Sequence, residues 1–361
     1  MNIRDLRQIE FANAWLNGGR FGILYLCPRF GKIFTTVEIL EVLEPNIRIL
    51  IAYPDIKIKD SWKADFTKRG YKNPNITYTT HLSLHKHEHE LFDLIIIDEI
   101  HLLSPAQTLV ARIMFQYNPV VLGLTGTMTK WTQIDIKNAL GLPVLATYTI
   151  KQGIEEGVIA DYAITVVKTP LDNVSQHAYF GKLRTEKRQF DHLTWIINKL
   201  EEDGRNIKFM RLARMRVIQH SEAKIRKTQE ILLNNSKERI LVFCGLTDIA
   251  DRLGISVYHS KSGSKALFDA FATGQSDVNQ MAVVKIGNTG VTYKPLNKVI
   301  INYFDSNGEN LAQKINRCMS LEYDNLDKKA HIYIICSTEP TEEKWLVKAL
   351  EFFDKTKIKY E

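Results

Sequence analysis

Residues 94–97 read Leu-Ile-Ile-Ile, and two carboxylates, Asp98 and Glu99, follow them directly. A continuous run of large aliphatic side chains leaves no polar face that could be turned toward water. Such a run is typical of a central strand in a parallel sheet, which helices cover on both faces. This segment therefore restricts the chain to an α/β fold.

Strand and helix signals alternate along most of the 361 residues, which indicates parallel sheets with crossover helices. In the first half the predicted strands are 21–26, 47–53, 75–80, 92–99 and 119–127, and the predicted helices are 5–17, 32–43, 57–68 and 105–116. In the second half the predicted strands are 238–244, 255–260, 281–286, 298–304 and 331–336, and the predicted helices are 247–253, 264–272, 309–319 and 341–354.

The stretch 172–235 is rich in charged residues with apolar residues at helical spacing, and it predicts two or three helices. A chain of this length normally forms about two domains. We therefore predict a first domain over 1–150, a connecting strand and helical segment over 151–235, and a second domain over 236–361.

The composition excludes several classes of protein. The formal net charge of +7 favours a polyanionic partner, although a slightly basic soluble surface is the alternative. No two cysteines form a C-x-x-C pair, which argues against a zinc ribbon and against a disulfide scaffold. The N-terminus lacks the apolar stretch of a signal peptide, and no window is apolar enough to cross a membrane. These features predict a cytoplasmic protein without a membrane partner.

Residues 27–32, Cys-Pro-Arg-Phe-Gly-Lys, follow a predicted strand and open a helix, which is where a phosphate-binding loop belongs. In such a loop Lys32 would reach the β- and γ-phosphates of a nucleotide. The full pattern G-x-x-x-x-G-K-[ST] is not met, because Leu26 replaces the first glycine and Ile33 replaces the hydroxyl residue. The alternative is an ordinary turn.

Asp98 and Glu99 stand at the carboxyl end of the buried strand, where open α/β sheets bind their ligands. Asp98 can hold Mg²⁺, usually through water, and Glu99 can orient or deprotonate an attacking water. The alternative is that both carboxylates cap the next helix. The run 125–127, Thr-Gly-Thr, ends another strand; its hydroxyls could link a nucleotide site to a moving neighbour, although alone it is a turn.

Taken in order, these elements resemble the motifs of the superfamily-two helicases and translocases. Residues 31–32 resemble motif I, 98–101 (Asp-Glu-Ile-His) motif II and 125–127 motif III; further resemblances are 52–54 to motif Ia, 78–80 to motif Ib, 240–244 to motif IV, 288–291 to motif V and 313–317 to motif VI. The resemblance covers nearly the whole chain. It is closest to small phage-encoded helicases and to the related Swi/Snf-type and branch-migration translocases.

The resemblance implies two tandem RecA-like lobes that hydrolyse ATP with Mg²⁺ and act on a single-stranded or branched nucleic acid, with DNA favoured. Replication or recombination proteins would be further partners. The implied ATP-binding residues are Gln8, Pro28, Arg29, Phe30, Gly31, Lys32 and Ile33. The implied catalytic residues are Lys32, Asp98, Glu99, Gln313 and Arg317, with Asp98 as the metal residue. The implied coupling residues are Thr125, Gly126 and Thr127, and the implied nucleic-acid contacts are Lys57, Thr79, Thr80, Gly245, Thr289 and Gly290.

Motif VI departs from the family pattern at Asn316, where a glycine is usual, and at Ser320, where an arginine is usual. An arginine finger can contribute about 10³–10⁵ in rate, so Ser320 and Ile33 put the rate of hydrolysis in question. Two other functions therefore stay open. One is a nucleic-acid-binding or scaffold protein with weakened ATPase activity, and the other is a P-loop ATPase that acts on proteins or small molecules.

Three further patterns have a structural and a functional interpretation. His85, His87 and His89 could hold a metal, but a solvated loop is the favoured interpretation. Residues 53, 62 and 66 are aromatic and favour core packing over base stacking. The basic helix 210–216 could contact DNA phosphates or could be an ordinary helix with one packed and one solvated face.

Overall fold

The computed structural model of the protein describes residues 2–118, 120–179, 181–284, 293, 296–305, 308–321 and 327–361. Contacts within the chain divide it into two compact units, which separate after Ala160. Each unit contains one large parallel sheet with helices packed on it. The fold class expected from the sequence, an α/β protein with two tandem parallel-sheet lobes, is confirmed.

The first unit is built on a six-stranded sheet. Its strands are β1 (Phe21–Leu26), β2 (Ile49–Tyr53), β3 (Ile76–Thr80), β4 (Leu94–Asp98), β5 (Val121–Thr125) and β6 (Val144–Tyr148). Its helices are α1 (Ile3–Asn17), α2 (Lys32–Val42), α3 (Ile58–Arg69), α4 (Pro105–Tyr117), α5 (Lys130–Leu140) and α6 (Ile150–Glu155), with short 3₁₀ turns at His81–His87 and Ile100–Leu102. The strand order is β3-β2-β4-β5-β1-β6, and every neighbouring pair is parallel.

Strand β4 lies inside this sheet, between β2 and β5, and all five of its residues are buried. Helix α4 begins at Pro105 because Ser104 and Gln107 form a capping box before it. Strands β4, β5 and β1 are neighbours in the sheet and run parallel to each other. Their carboxyl ends therefore lie at the same edge of the sheet. The loops after these strands therefore lie next to each other.

The second unit contains a seven-stranded sheet and a separate two-stranded hairpin. Its strands are β7 (Asp161–Thr169), β8 (His177–Tyr179), β9 (Lys182–Arg184), β10 (Ile240–Cys244), β11 (Ser256–Tyr258), β12 (Gln280–Val284), β13 (Lys298–Ile301), β14 (Lys329–Ser337) and β15 (Ile358–Tyr360). Its helices are α7 (Glu186–Glu202), α8 (Lys208–Gln219), α9 (Glu222–Asn234), α10 (Thr247–Asp251), α11 (Lys265–Thr273), α12 (Gly308–Ile315) and α13 (Pro340–Ala349), with 3₁₀ turns at Asn316–Cys318 and Lys355–Lys357.

The large sheet of this unit has the order β11-β12-β10-β13-β14-β7-β15, again with parallel pairs throughout. Strand β7 therefore belongs to the second sheet, whereas the sequence predicts it in a connecting segment over 151–235. The physical reason is long-range pairing: β7 is hydrogen-bonded to β14 along its whole length and to β15 on its other side. The rest of that segment contains three helices, α7 to α9, where the sequence predicts two or three, and the hairpin β8–β9, which the sequence does not predict.

All four cysteines, Cys27, Cys244, Cys318 and Cys336, are free and buried. In the part of the chain that the structure describes, no helix combines the length and the apolar character that a membrane span requires.

Candidate functional site

The loop between β1 and α2 has a backbone that glycine makes possible. Gly31 has a φ of 104° and directly precedes α2, and a Cβ atom there would lie 2.6 Å from Gln8 Nε2. Arg29 also has a positive φ, 69°, in the left-handed region. The loop therefore turns sharply enough to place Lys32 in the first turn of α2, at the carboxyl edge of the sheet.

Gln8, on α1, is completely buried behind this loop. Its Nε2 donates a hydrogen bond to the Phe30 carbonyl at 3.1 Å, and its Oε1 accepts one from Arg69 Nη2 at 3.0 Å. The Phe30 ring packs against Phe11 and Tyr148, with ring centroids 5.6 Å and 4.7 Å away. The structure therefore brings Gln8 and the loop together, with both ends of the Gln8 amide engaged.

Lys32 lies between the two carboxylates at the end of β4. Its ammonium group is paired with Glu99 Oε1 and is 3.3 Å from Asp98 Oδ1. The three side chains are mostly buried, with exposed fractions of 17%, 9% and 19% for Lys32, Asp98 and Glu99. One cation thus faces two carboxylates, and the cluster keeps an excess of negative charge.

Other groups hold the two carboxylates in place. Trp62 Nε1 donates to Asp98 Oδ2 at 3.2 Å. Glu99 has a φ of 50°, which is uncommon outside glycine, and its Oε2 accepts a hydrogen bond of 3.4 Å from the Gly126 backbone N–H. Pro28 is close to Gly126, where a Cβ atom would lie 3.3 Å from Pro28 Cγ. The phosphate-type loop and the Thr-Gly-Thr turn therefore pack on one another.

The charges of the cluster shift the pKa values of its members. Burial alone would lower the pKa of Lys32, but Asp98 and Glu99 outweigh it and raise that pKa. Burial raises the pKa of Asp98 in spite of the nearby Lys32 ammonium. Burial would also raise the pKa of Glu99, but the attraction of Lys32 lowers it on balance. Glu99 is therefore the carboxylate that stays ionised most readily, as a residue that accepts a proton from water must.

His101 lies between Glu99 and the turn after β5. His101 Nδ1 is 3.5 Å from Glu99 Oε2 and 2.8 Å from Thr125 Oγ1. The Thr125 hydroxyl also lies 3.0 Å from the Thr127 carbonyl, to which it can donate. Burial lowers the pKa of His101 to about 4, so its imidazole is neutral at pH 7. The predicted coupling residues are thus in direct contact with the carboxylate cluster.

The donor set around Asp98 fits a magnesium ion better than a transition metal. Asp98 Oδ1 is buried, accepts no hydrogen bond and faces the Lys32 ammonium. Among the described residues no group of three or more His, Cys, Asp or Glu side chains could form a protein-only metal site. A cation here would need water and phosphate oxygens as further ligands, which is the usual situation for Mg²⁺.

The hydroxyls nearest to the position of Ile33 do not replace its missing oxygen. Thr35 Oγ1 donates to the Gly31 carbonyl at 3.4 Å, and Thr36 Oγ1 donates to the Lys32 carbonyl at 3.0 Å. Both hydroxyls therefore bond back to their own helix. Asp98 is the one predicted metal residue in the described part of this cluster.

The predicted nucleic-acid residues of the first unit lie at the same edge of the sheet but differ in exposure. Lys57 is exposed before α3, and Thr80 is partly exposed at the end of β3. Thr79 is buried, with 5% exposed, so its side chain faces the core. In the second unit Gly245 follows β10 directly, and Tyr303 leaves no space for a side chain there, with a Cβ–Cγ distance of 2.6 Å. Thr289 and Gly290, with the rest of the proposed motif V, lie outside the described residues.

The predicted motif VI residues lie on one continuous element. Gln313 is in α12 and Arg317 is in the 3₁₀ turn that follows it. Between them Lys314 is buried, donates to the Tyr303 carbonyl at 3.2 Å, and has a pKa lowered to about 8 by burial. The Ser320 carbonyl accepts a hydrogen bond from Lys328 Nζ at 2.8 Å.

Four residues that contact the predicted site residues were not themselves predicted from the sequence to have a role there. Trp62 and His101 contact the carboxylates or their coupling turn, Arg69 holds Gln8, and Lys314 anchors motif VI. His101 and Lys314 carry a signal, because they stand inside recognised motifs. Trp62 and Arg69 are on α3, and no local pattern indicates which buried group they reach.

His85 and His87 have local partners. His85 Nδ1 is 3.1 Å from the Leu82 carbonyl, and His87 Nδ1 is 3.1 Å from Glu90 Oε1. Residues 53, 62 and 66 lie in the core, as their spacing predicts.

Comparisons with known proteins concern the sequence and the fold of the chain. The chain is 27% identical over 283 residues to the DNA 3'-5' translocase XPB2 of Sulfurisphaera tokodaii. The aligned region covers 70% of this chain and 62% of that protein. It is 26% identical over 265 residues to the type I restriction enzyme EcoAI endonuclease subunit of Escherichia coli, covering 66% of this chain and 31% of the subunit. These similarities support a superfamily-two helicase-like family.

No protein-family model matches the chain. Among solved structures, the chain resembles a fragment of a putative HsdR subunit of a type I restriction enzyme from Vibrio vulnificus. The TM-score is 0.64 and the sequence identity 17%, and the match covers 98% of this chain and 66% of that one. This likeness concerns the fold. The chain thus matches less than two thirds of the length of each of the two relatives similar in sequence.

Proposed function

We propose that the chain is an ATP-dependent DNA translocase or helicase of superfamily two with an Asp-Glu-Ile-His box. The observation that carries the proposal is the Lys32–Asp98–Glu99 cluster at the carboxyl edge of the first sheet. A lysine that is held by two carboxylates at the start of a helix can exchange them for the phosphates of a nucleotide. The similarity to a DNA translocase supports DNA as the substrate.

In this proposal the loop 28–33 and Lys32 bind the triphosphate, and Gln8 exchanges its present partners, the Phe30 carbonyl and Arg69, for the base. Mg²⁺ on Asp98 would offset the charge of the phosphates. Glu99 orients the attacking water and accepts its proton, for which it must be ionised, as its lowered pKa keeps it at pH 7. A change at Glu99 is transmitted through the contacts of His101 and Thr125 to the turn 125–127. This turn is therefore the coupling element.

Gln313 and Arg317 are proposed to complete the ATP site from the second lobe. Lys57, Thr79, Thr80, Gly245, Thr289 and Gly290 are proposed to contact nucleic acid, with the Thr79 contribution made by its backbone because its side chain is buried. Contacts of this kind hold the sugar–phosphate backbone and ignore base sequence. Binding should therefore weaken steeply with salt.

The decisive experiment measures ATP hydrolysis with single-stranded, duplex and branched DNA and with RNA, for the parent protein and for Glu99→Gln. The matched control is Glu44→Gln, since Glu44 is an exposed carboxylate of the same unit. Stimulation by DNA that Glu99→Gln abolishes and Glu44→Gln leaves intact supports the proposal. Hydrolysis that no nucleic acid stimulates would instead favour an ATPase acting on proteins or small molecules.

The second candidate function is a nucleic-acid-binding or scaffold protein with weak ATPase activity. Ile33 and Ser320 favour it, because each replaces a residue that normally assists catalysis. If loss of the arginine finger limits the rate, Ser320→Arg should raise ATP turnover by at least about tenfold. Tight nucleic-acid binding without hydrolysis in the parent protein would establish this second function.

A further inference from the structure

A cavity of about 560 Å³ lies in the second unit, between α8 and the first turns of α13, and none of its lining residues belongs to the helicase-type motifs named above. Four cations line it, Arg205, Lys208, Arg211 and Arg214, together with Thr341 and Trp345. No carboxylate is among the described residues of its lining. This cavity belongs to the segment of the chain whose basic helix had both a structural and a DNA-contact interpretation.

Two of the four cations are already engaged with the protein. Arg211 Nη2 forms an ion pair of 2.5 Å with Glu201, and both side chains are exposed. Arg214 Nη1 donates to Thr194 Oγ1 at 3.2 Å, and its guanidinium lies 5.5 Å from the centroid of the Phe190 ring. These two arginines therefore fix the wall of the cavity.

The other two cations are available to a ligand. Arg205 and Lys208 are exposed, and within the described chain their side chains have no hydrogen-bond or ion-pair partner. Lys208 is the first residue of α8, Arg205 lies three residues before it, and both line the cavity. Cations that line one cavity without a counterion favour an anionic ligand.

Trp345 gives the cavity an aromatic wall. Its ring is half-buried, and its indole N–H donates no hydrogen bond to any described residue. Unpaired cations beside an accessible aromatic ring are the combination that holds single-stranded nucleic acid, where the cations follow the phosphates and a base stacks on the ring. A double helix would leave the ring without a stacking partner.

We infer that this cavity is an accessory site for a single-stranded segment of nucleic acid, with phosphates on Arg205 and Lys208 and a base on Trp345. The inference rests on the proposed function, because it assigns a second contact for the same substrate. It places that contact on α8 and α13, outside the helicase motifs.

The test measures the affinity of the whole chain for a fluorescent single-stranded oligonucleotide over a range of salt concentrations. Arg205→Ala with Lys208→Ala should weaken binding about tenfold and lower the salt slope by about 1.4, which is two single-strand phosphate contacts. The control, Lys237→Ala with Lys355→Ala, removes the same charge from exposed positions of the same unit outside the cavity.

Trp345 is tested separately with two variants. Trp345→Leu should weaken binding of the single strand about tenfold, while Trp345→Phe keeps a ring and should retain most of the affinity. Equal losses for both, or a loss no greater for single-stranded than for duplex DNA, would overturn the assignment of a stacked base.

Failure of this inference can be told apart from failure of the proposed function. A parent protein whose ATPase activity is stimulated by DNA, but whose affinity does not change in Arg205→Ala with Lys208→Ala, overturns the accessory site alone. A parent protein that binds no oligonucleotide at any salt concentration overturns both.

Discussion

Each unit of the chain contains a buried lysine paired with a carboxylate at the carboxyl edge of its sheet, and the two clusters differ in how fully they are satisfied. In the first unit Lys32 is shared between Asp98 and Glu99, and all three side chains keep some exposure. In the second unit Lys224 pairs with Glu342, with exposed fractions of 0% and 1%.

The second cluster has no capacity left for a ligand. Glu342 Oε2 accepts the Ser337 backbone N–H at 2.6 Å, and Lys224 Nζ is 3.4 Å from the Asn302 carbonyl and 5.7 Å from the centroid of the Phe304 ring. The first cluster has an extra carboxylate and a buried oxygen without a hydrogen bond. We therefore propose that the closed pair serves structure and that the open cluster serves chemistry.

The variant Glu99→Gln is the strongest test of this difference between the two clusters. We expect ATP turnover to fall by about 10²–10⁴-fold because the variant removes the base that accepts the proton of the attacking water. The free energy of unfolding should fall by less than the about 3–5 kcal/mol that an uncompensated buried charge costs, since Asp98 still pairs with Lys32. A steady-state ATPase assay and urea unfolding measure the two quantities. If the free energy of unfolding fell by as many kcal/mol as the fold-loss of ATP turnover corresponds to, Glu99 would mainly stabilise the fold. That result would contradict an open, functional cluster.

The converse variant is Glu342→Gln. It leaves the Lys224 ammonium buried without a counterion, so the second unit should lose about 3–5 kcal/mol of stability. Urea unfolding followed by hydrogen exchange in β14 measures this loss. Lys224→Met with Glu342→Gln should restore most of it, because the buried charge is then gone and the amide oxygen still accepts the Ser337 backbone N–H. No recovery in the double variant would show that the ion pair has a role besides its mutual neutralisation.

The third prediction concerns the stability of the first unit at acid pH. Burial lowers the pKa of His81 and of His101 to about 4, whereas an unfolded histidine has a pKa near 6.5. Between these values the unfolded chain binds more protons, so the stability that both histidines contribute is present above pH 6.5 and is lost as the pH falls toward 4. From pH 7 to pH 5 each should cost the first unit about 2 kcal/mol.

Hydrogen exchange of β4 in urea at the two pH values measures this effect. His81→Gln should remove about half of the pH-dependence, while His89→Gln, at an exposed position of the same turn region, should leave it unchanged. Identical pH-dependence in the parent protein and His81→Gln would contradict a buried neutral imidazole at position 81.

The variant with the smallest expected effect tests whether Trp62 orients Asp98. Trp62→Phe removes the donor to Asp98 Oδ2, so the Mg²⁺ concentration for half-maximal ATPase activity should rise about tenfold. Trp15→Phe is a matched control: Trp15 is equally buried in the same unit, and its Nε1 donates to the Val121 carbonyl at 3.1 Å. Equal shifts in the two variants would mean that packing, and not the orientation of Asp98, causes the change.

The sequence predicted the parts of this molecule that follow from local pattern. It predicted most of the strands, since β1, β4, β5 and β10 are apolar runs, and it predicted that residues after parallel strands meet at one edge. Lys32 and Glu99 are indeed in contact although 67 residues separate them. Their catalytic roles, like those of Thr289 and Gly290, stay predictions.

What the sequence did not predict depends on contacts that no local pattern encodes. Trp62 reaches Asp98 from α3, Arg69 reaches Gln8 from the end of the same helix, and Lys224 reaches Glu342 across 118 residues. The hairpin β8–β9 consists of two three-residue strands with little burial, which leaves no apolar alternation to detect. Tertiary packing decides each of these cases.

The position of β7 in the second sheet has a consequence for synthesis on the ribosome. The first unit is contiguous in the part described from residue 2 to 160, so it can fold as soon as it emerges. Strand β7 emerges next, but its neighbours β14 and β15 are translated only after all the other strands of that sheet. Its apolar residues, with Ile164, Val166 and Val167 among them, must therefore wait without a partner, which exposes a strand edge to aggregation. Slow translation of the second unit should for this reason reduce the yield of folded protein more than slow translation of the first.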